Sequence, residues 1–178
     1  MKKTEEKNNN SRKYKHTTAA KEMLLQESMA TYNAESFNKA ILMMGMQQDS
    51  RFRSVKNDTD FIDIIREGIP KEAMSNLMDI AEISLQEMSD ITHISDRTLR
   101  RYSSQDKLPQ EQSERVVELA KLYTRGSDVL GGLANFKEWM DSRLIPLGNK
   151  KPKEFLDTSL GIDLLMKELG RIEQGIFA

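Results

Sequence analysis

LQEMSDITHISDRTLRRYS, Leu85 to Ser103, carries two short helical patterns joined by a tight turn near Thr92 to Ser95. Immediately before it, S-L-Q-E puts Ser84 at an N-cap and Glu87 three residues on. That is a capping box, in which each side chain satisfies an otherwise free N–H of the other residue. Ser95 is a natural N-cap for DRTLRRYS, Asp96 to Ser103, because its hydroxyl can accept from a free N–H of the first turn. Leu85, Met88, Ile91, Ile94 and Leu99 fall where a tri-helical core needs apolar groups, which leaves Arg97, Thr98, Arg100 and Arg101 on the outer face of the second helix. This is the spacing of a helix-turn-helix. Arginine on that face can grip guanine edges or phosphates, and Thr98 can contact a base, a sugar or a phosphate. His93 stands where many such motifs carry Gly, and Ser89 where many carry Ala. An imidazole there asks for a turn without a positive φ, so His93 reads as a structural turn residue. The same pattern also suits a three-helix protein-interaction module with a solvated charged face.

Working toward the N-terminus, Pro70 suits the first turn of a helix with Ala73, Met74, Leu77, Met78 and Ala81 on one side. Thr59 can cap FIDIIRE, and Gly68 supplies its stop. Gln47 to Asp60 is polar and without period, which predicts a linker. Residues 17–46 show helical spacing in Ala19, Met23, Met29, Phe37, Ala40, Ile41 and Met44. This segment either completes the core or packs on a second copy. Residues 1–16, KKTEEKNNNSRKYKH after the first Met, have no apolar period and an excess of Lys and Arg, which predicts a disordered basic tail.

Toward the C-terminus, Pro109 opens a helix with Val116, Val117, Leu119, Ala120, Leu122 and Tyr123 in a broad apolar stripe. It is expected to run to about Leu130, with Gly126 tolerated inside and Gly131-Gly132 ending it. LANFKEWMDS follows as a shorter helix with Phe136, Trp139 and Met140 toward the core, and RLIPLGNKK reads as a loop. Pro152 then starts KPKEFLD, and Thr158 can cap a last helix with Ile162, Leu165, Met166, Leu169 and Ile172 along one face. No β alternation is present, so the fold class is all-α. The organisation is a tail (1–16), an N-terminal helical segment and linker (17–60), a helix-turn-helix domain (61–108), and a connecting helix with a small C-terminal helical domain (109–178).

Composition narrows the function. The chain has 178 residues, 38% of them hydrophobic, enough for a core in one domain or two small ones. Its longest apolar run, Ile41 to Met46, cannot span a bilayer, and Met1-Lys2-Lys3 leads into charge rather than a signal-peptide core. A soluble, cytoplasmic protein is expected. There is no Cys, and the two His residues, His16 and His93, are too distant to build a zinc site. A net charge of −1 argues against a uniformly basic nucleic-acid binder but leaves local patches open. No nucleophile motif and no G-x-x-x-x-G-K-[ST] loop occurs, so neither catalysis nor a cofactor is expected. The eleven Met residues fit adaptable packing or a forgiving interface.

The segments EGIPKEAM, ISLQEMSDITHISDRTLRRY, KLPQEQSERVVELAKLY, IPLGNKKP and EFLDTSLGIDLLMKELGRIEQGIFA together resemble antitoxins of the MbcA/ParS/Xre family. The resemblance covers about Phe61 to Ala178. Its most specific part is L-D-T-x-x-G followed by L-G-R-I-x-x-G-x-x-A, matched by Leu156, Asp157, Thr158, Gly161, Leu169, Gly170, Arg171, Ile172, Gly175 and Ala178. Asn149-Lys150-Lys151 replaces the Gly- and Thr-containing turn usual there, and Phe177 stands where Tyr is frequent. The resemblance implies an Xre-like helix-turn-helix that binds the operator of its own operon as a homodimer, and a C-terminal domain that binds a RES-type toxin, a small NAD-consuming enzyme. It further implies that the C-terminal segment enters the toxin's active-site cleft. Ile172, Gly175, Ile176, Phe177 and Ala178 would then be toxin-binding, with Arg171 and Glu173 anchoring the approach by charge-assisted bonds. The alternative is a stand-alone transcriptional regulator whose C-terminal helices dimerise or sense a ligand. A third reading keeps the helix-turn-helix as a fold without DNA binding.

Overall fold

The computed structural model describes residues 35–53, 55 and 57–176, the side chain of Asp58 excepted. The expected basic tail (1–16), the helical pattern over 17–34, and Phe177 and Ala178 lie outside the described residues. In chain order the helices are α1 (35–43), α2 (Ser50–Arg53), α3 (Asp58–Glu67), α4 (Lys71–Ala81), α5 (Leu85–Thr92), α6 (Asp96–Arg101), α7 (Gln110–Val129), α8 (Leu133–Asp141) and α9 (Ser159–Glu173). Two 3₁₀ turns, Ile145–Leu147 and Pro152–Phe155, link α8 to α9. Among the described residues there is no strand, and the fold is all-α as expected.

The central element is α7. Val116, Leu119, Ala120 and Leu122 are completely buried on it, and α3, α4, α5, α8 and α9 pack around it. Ser36 onward forms one compact unit, so the helix-turn-helix and the C-terminal helices share this helix and its core. Ser113, buried on α7, has both a donor and an acceptor, as burial requires. The Ser113 hydroxyl donates to the Leu108 carbonyl and accepts from the Ile69 N–H, both at 3.1 Å.

Helix ends follow local chemistry. The Ser84–Glu87 capping box is present in both directions, and Ser95 and Thr158 accept from the N–H groups of Thr98 and Gly161. Two starts differ from expectation. Asn57, not Thr59, caps α3: its side-chain oxygen accepts from the Asp60 N–H at 3.1 Å, and Thr59 already lies in the first turn of the helix. Pro70 is the N-cap of α4 rather than part of its first turn; lacking a side-chain cap, the N–H groups of Lys71 and Glu72 donate to the carbonyls of Asp106 and Ser104 at 2.9 Å. The helix expected over Asp96 to Ser103 stops at Arg101.

The N-terminal segment also departs from expectation. Within Gln47 to Asp60, expected as a linker, α2 forms and Phe52 is 1% exposed. Burying a phenylalanine contributes about 2 kcal/mol, enough to dock a stretch of otherwise polar residues. Residues of α1 complete the core: Phe37 meets Phe61 with ring centroids 5.2 Å apart, and the Lys121 ammonium lies 5.0 and 5.3 Å from the two ring centres. Asn76 on α4 donates to the Met44 carbonyl and fastens the end of α1.

Two glycines permit close approaches in the C-terminal part. A Cβ on Gly126, expected merely to be tolerated, would lie 2.1 Å from the Phe136 ring. Glycine there lets α8 seat Phe136 against α7, with Tyr123 edge-on at 5.0 Å. A Cβ on Gly161 would lie 1.9 Å from the Phe155 carbonyl oxygen, so the second 3₁₀ turn rests on the first turn of α9. RLIPLGNKK, expected as a loop, contains the first 3₁₀ turn, closed by the pairing of Leu144 with Lys150.

Candidate functional site

Two surfaces carry the residues singled out from the sequence. The first is α6. Met88, Ile91, Ile94 and Leu99 are buried between α5, α6 and α7, and Arg97, Thr98, Arg100 and Arg101 all face outward. Gln112 on α7 donates to the Thr92 carbonyl at 3.2 Å and holds the end of α5. His93 lies at φ 55, ψ 27, in the left-handed region. The expectation of a turn without positive φ is therefore wrong: the C-cap of α5 needs a left-handed residue to reverse the chain, and histidine can adopt that conformation at modest cost.

The four exposed groups of α6 are not equivalent. Thr98 Oγ1 lies 2.9 Å from Ser95 Oγ, so its hydroxyl is engaged with the helix cap. Arg100 lies 3.8 Å from Asp96. Arg97 and Arg101, one turn apart, have no ion-pair partner among the described residues. Their guanidiniums are the available cations of this surface.

The second surface is the outer side of α9 with the turn that follows it. Ile162, Leu165 and Leu169 are buried against α7, and Ile172 is half-buried. Ser159 donates to the Glu118 carboxylate on α7, whose pKa burial pushes above the usual carboxylate range. The two residues expected to anchor a partner are paired within the chain: Arg171 with Glu168 at 3.0 Å, and Glu173 with Arg125 of α7. Glu173 therefore fixes the end of α9 to α7. Beyond it, Gly175 has φ 71 and donates to the Ile172 carbonyl, while Ile176 donates to the Arg171 carbonyl, each at 2.9 Å. This is a Schellman motif, and it makes Gly175 the residue that redirects the chain out of the helix. Ile176 follows with 50% of its surface exposed. Phe177 and Ala178, expected as toxin contacts, lie outside the described residues.

Three apolar side chains of this region were not singled out from the sequence. Leu160 is 78% exposed, Leu164 36%, and Ile145, in the first 3₁₀ turn, 85%. Leu160 and Leu164 are one turn apart and fall off the stripe formed by Ile162, Leu165 and Leu169. Apolar residues on two sides of one helix are the signal that would have found them. Among the described residues no group of three His, Asp or Glu side chains could hold a metal ion, and no helix is long and apolar enough to cross a membrane.

Comparison with known proteins matches both parts. Residues 60–121 match the antitoxin Xre-like helix-turn-helix domain, and residues 125–175 match the antitoxin Xre/MbcA/ParS C-terminal toxin-binding domain. An Antitoxin Xre of Yersinia enterocolitica is 27% identical over 122 residues, covering 67% of this chain and 82% of the relative. An Antitoxin Xre of Photorhabdus laumondii is 27% identical over 115 residues, covering 64% and 78%. A Prs ADP-ribosylating antitoxin of Sphingobium sp. is 29% identical over 129 residues, covering 67% and 81%. A helix-turn-helix built on α5 and α6, followed without a break by a matched toxin-binding domain that ends in α9, makes this chain a member of the Xre/MbcA/ParS antitoxin family.

Proposed function

We propose that this antitoxin neutralises a RES-type toxin, an enzyme that consumes NAD, by laying residues 175–178 into the toxin's active-site cleft. In the same reading it binds the operator of its own operon as a homodimer through Arg97, Thr98, Arg100 and Arg101. The observation that carries the first part is the end of α9. The Schellman turn at Gly175 directs the chain away from the helix, and Ile176 emerges half-exposed, beside a helix whose Leu160 and Leu164 also lack cover. Such apolar exposure on a toxin-binding domain fits a receiving surface on the partner. Phe177 and Ala178 extend the same segment. Arg171 and Glu173 act from within the chain, by fixing the helix end rather than by reaching the toxin. An NAD-using partner agrees with the relative named for ADP-ribosylation, since ADP-ribosyl groups are drawn from NAD. None of this asks the antitoxin itself for a catalytic group. The DNA-binding part rests on the two unpaired arginines of α6, which can take phosphates or guanine edges in a major groove.

The test is co-expression with the product of the adjacent gene, scoring growth and cellular NAD, for the full chain and for a version lacking residues 175–178. The full chain should restore both and the shortened one neither. Rescue by both would show that the segment does not occlude the active site and would move the decisive contacts onto α9. Rescue by neither would favour the stand-alone regulator.

A further inference from the structure

A cleft of about 870 Å³ separates the helix-turn-helix from the C-terminal helices. That is the size of a small-molecule site. One wall contributes Glu82, Glu87 and Asp90, and the opposite wall Asp141, Glu154 and Asp157. Two lysines, Lys137 and Lys153, enter from the C-terminal side, and they are already bound, Lys137 to Glu82 at 2.6 Å and Lys153 to Asp141 at 2.5 Å. Six carboxylates less two ammonium groups leave a net charge of −4 from the acidic and lysine side chains of the cleft. Asp90 and Asp157 have no ion-pair partner among the described residues.

An acidic rim alone would be a solvated surface. The second feature is Tyr123 of α7, which lines the cleft although only 4% of it is exposed. Its ring packs edge-on against Phe136, and its hydroxyl has no hydrogen-bond partner among the described residues. The ring is buried while the hydroxyl oxygen still reaches the cleft, where an entering N–H donor can bond it. Burial and then the carboxylates of Glu87, Asp141 and Glu82 push the phenol's pKa well up, so it stays neutral and presents an acceptor oxygen in a negative field. An anion is excluded by that field. A bare metal ion is excluded by the spread of the carboxylates, no three of which converge as ligands. What remains is a cation with N–H donors and charge at more than one centre, long enough to meet both walls.

We propose that the cleft between α5 and the α8–3₁₀ segment is a binding site for an alkyl oligoammonium group, with one ammonium donating to the Tyr123 hydroxyl and others facing Asp90 and Asp157. Because the walls belong to the two functional parts, an occupant clamps the helix-turn-helix to the toxin-binding helices. The same chemistry is offered by a free polyamine and by lysine side chains of another protein.

The experiment is calorimetric titration of the full chain with spermidine and, separately, with a trilysine peptide. Thermal unfolding is followed in parallel, with sodium chloride at matched ionic strength as control. Saturable binding is expected, weakened about 10-fold by Tyr123→Phe, the loss of one hydrogen bond to a charged group. The pair Asp90→Asn with Asp157→Asn should weaken it by a similar factor. Without ligand, Tyr123→Phe should unfold no lower than the parent, since it removes only an unpartnered hydroxyl, and the rise in Tm produced by the amine should shrink in it. Spermidine binding assigns the site to a free amine; binding of the peptide alone assigns it to a protein lysine. The proposal is overturned if neither binds, if affinity is unchanged in Tyr123→Phe, or if sodium chloride reproduces the rise in Tm.

Discussion

On the proposed function, α6 and α9 each offer a surface to a partner, and they do so by opposite means. α6 is six residues long, buries Leu99 completely, and turns charge outward. α9 is fifteen residues long, buries Ile162, Leu165 and Leu169, and turns leucines outward as well. Charge on an exposed face is cheap for the isolated protein, so the α6 surface is built without loss of stability. Exposed leucine gains the isolated protein nothing. A largely exposed leucine such as Leu160 keeps most of about 1.5–3 kcal/mol of burial in reserve for a partner, and Leu164, 36% exposed, a smaller part. The difference predicts different behaviour: the α6 surface should bind in a salt-dependent manner, and the α9 surface should be nearly insensitive to salt.

The largest effect that can break this comparison comes from removing the two unpaired cations. Arg97→Ala with Arg101→Ala should lower operator affinity about 1000-fold, at roughly 1–3 kcal/mol for each arginine, and leave toxin binding unchanged. Gel-shift and pull-down assays on one preparation measure both. If the two activities fall together, α6 and α9 do not work as separate surfaces.

The reciprocal change is somewhat smaller. Leu160→Asp with Leu164→Ala should weaken toxin binding about 100-fold, at the size of one interface hot spot, with operator binding intact. Stability should fall by only about 1 kcal/mol, from trimming Leu164, which is 36% exposed. Leu160 is 78% exposed in the native protein, and an aspartate in the first turn of α9 is favoured by the helix dipole. Unchanged toxin affinity would confine the interface to the segment after Gly175.

How much of these surfaces could be read beforehand follows from the range of the interactions that make them. The α5 and α6 caps are made by residues three apart, so Ser84, Glu87 and Ser95 announce themselves in the sequence. The outward arginines follow directly from that register. Phe52 cannot be read locally because its neighbours Arg51 and Arg53 are charged, although it joins the buried core. The role of Gly126 depends on Phe136, ten residues away on another helix, and only the packed structure brings them together. Leu160 and Leu164 were visible as letters. Their period marks a second apolar side of the helix, but not which of the two sides the core takes. His93 shows the converse, since residue type argued against a left-handed turn and the chain reversal between α5 and α6 required one.

The smallest expected effect sharpens the comparison from the α5 side, where stability rather than binding is at stake. The Glu87 carboxylate accepts from the Ser84 hydroxyl at 2.7 Å and from the Ser84 N–H at 2.8 Å. The Ser84 side chain is the main cause that lowers its pKa; burial opposes this, the Ser84 N–H adds to it, and across the cleft Lys153 lowers it while Asp141 raises it. A carboxyl whose folded-state pKa is depressed adds stability above its unfolded value, 4.5 for Glu, and loses it as pH falls through the lower, folded-state value. Glu87→Gln keeps a capping acceptor and removes the titration. At neutral pH the variant should be slightly less stable than the parent, and the gap should close as pH falls below 4.5 and through the lower, folded-state value. Urea unfolding of both chains at several pH values measures it. A gap that persists into acid would mean that Glu87 acts through packing rather than through its charge, and that the start of α5 is held by the core as firmly as α9 is.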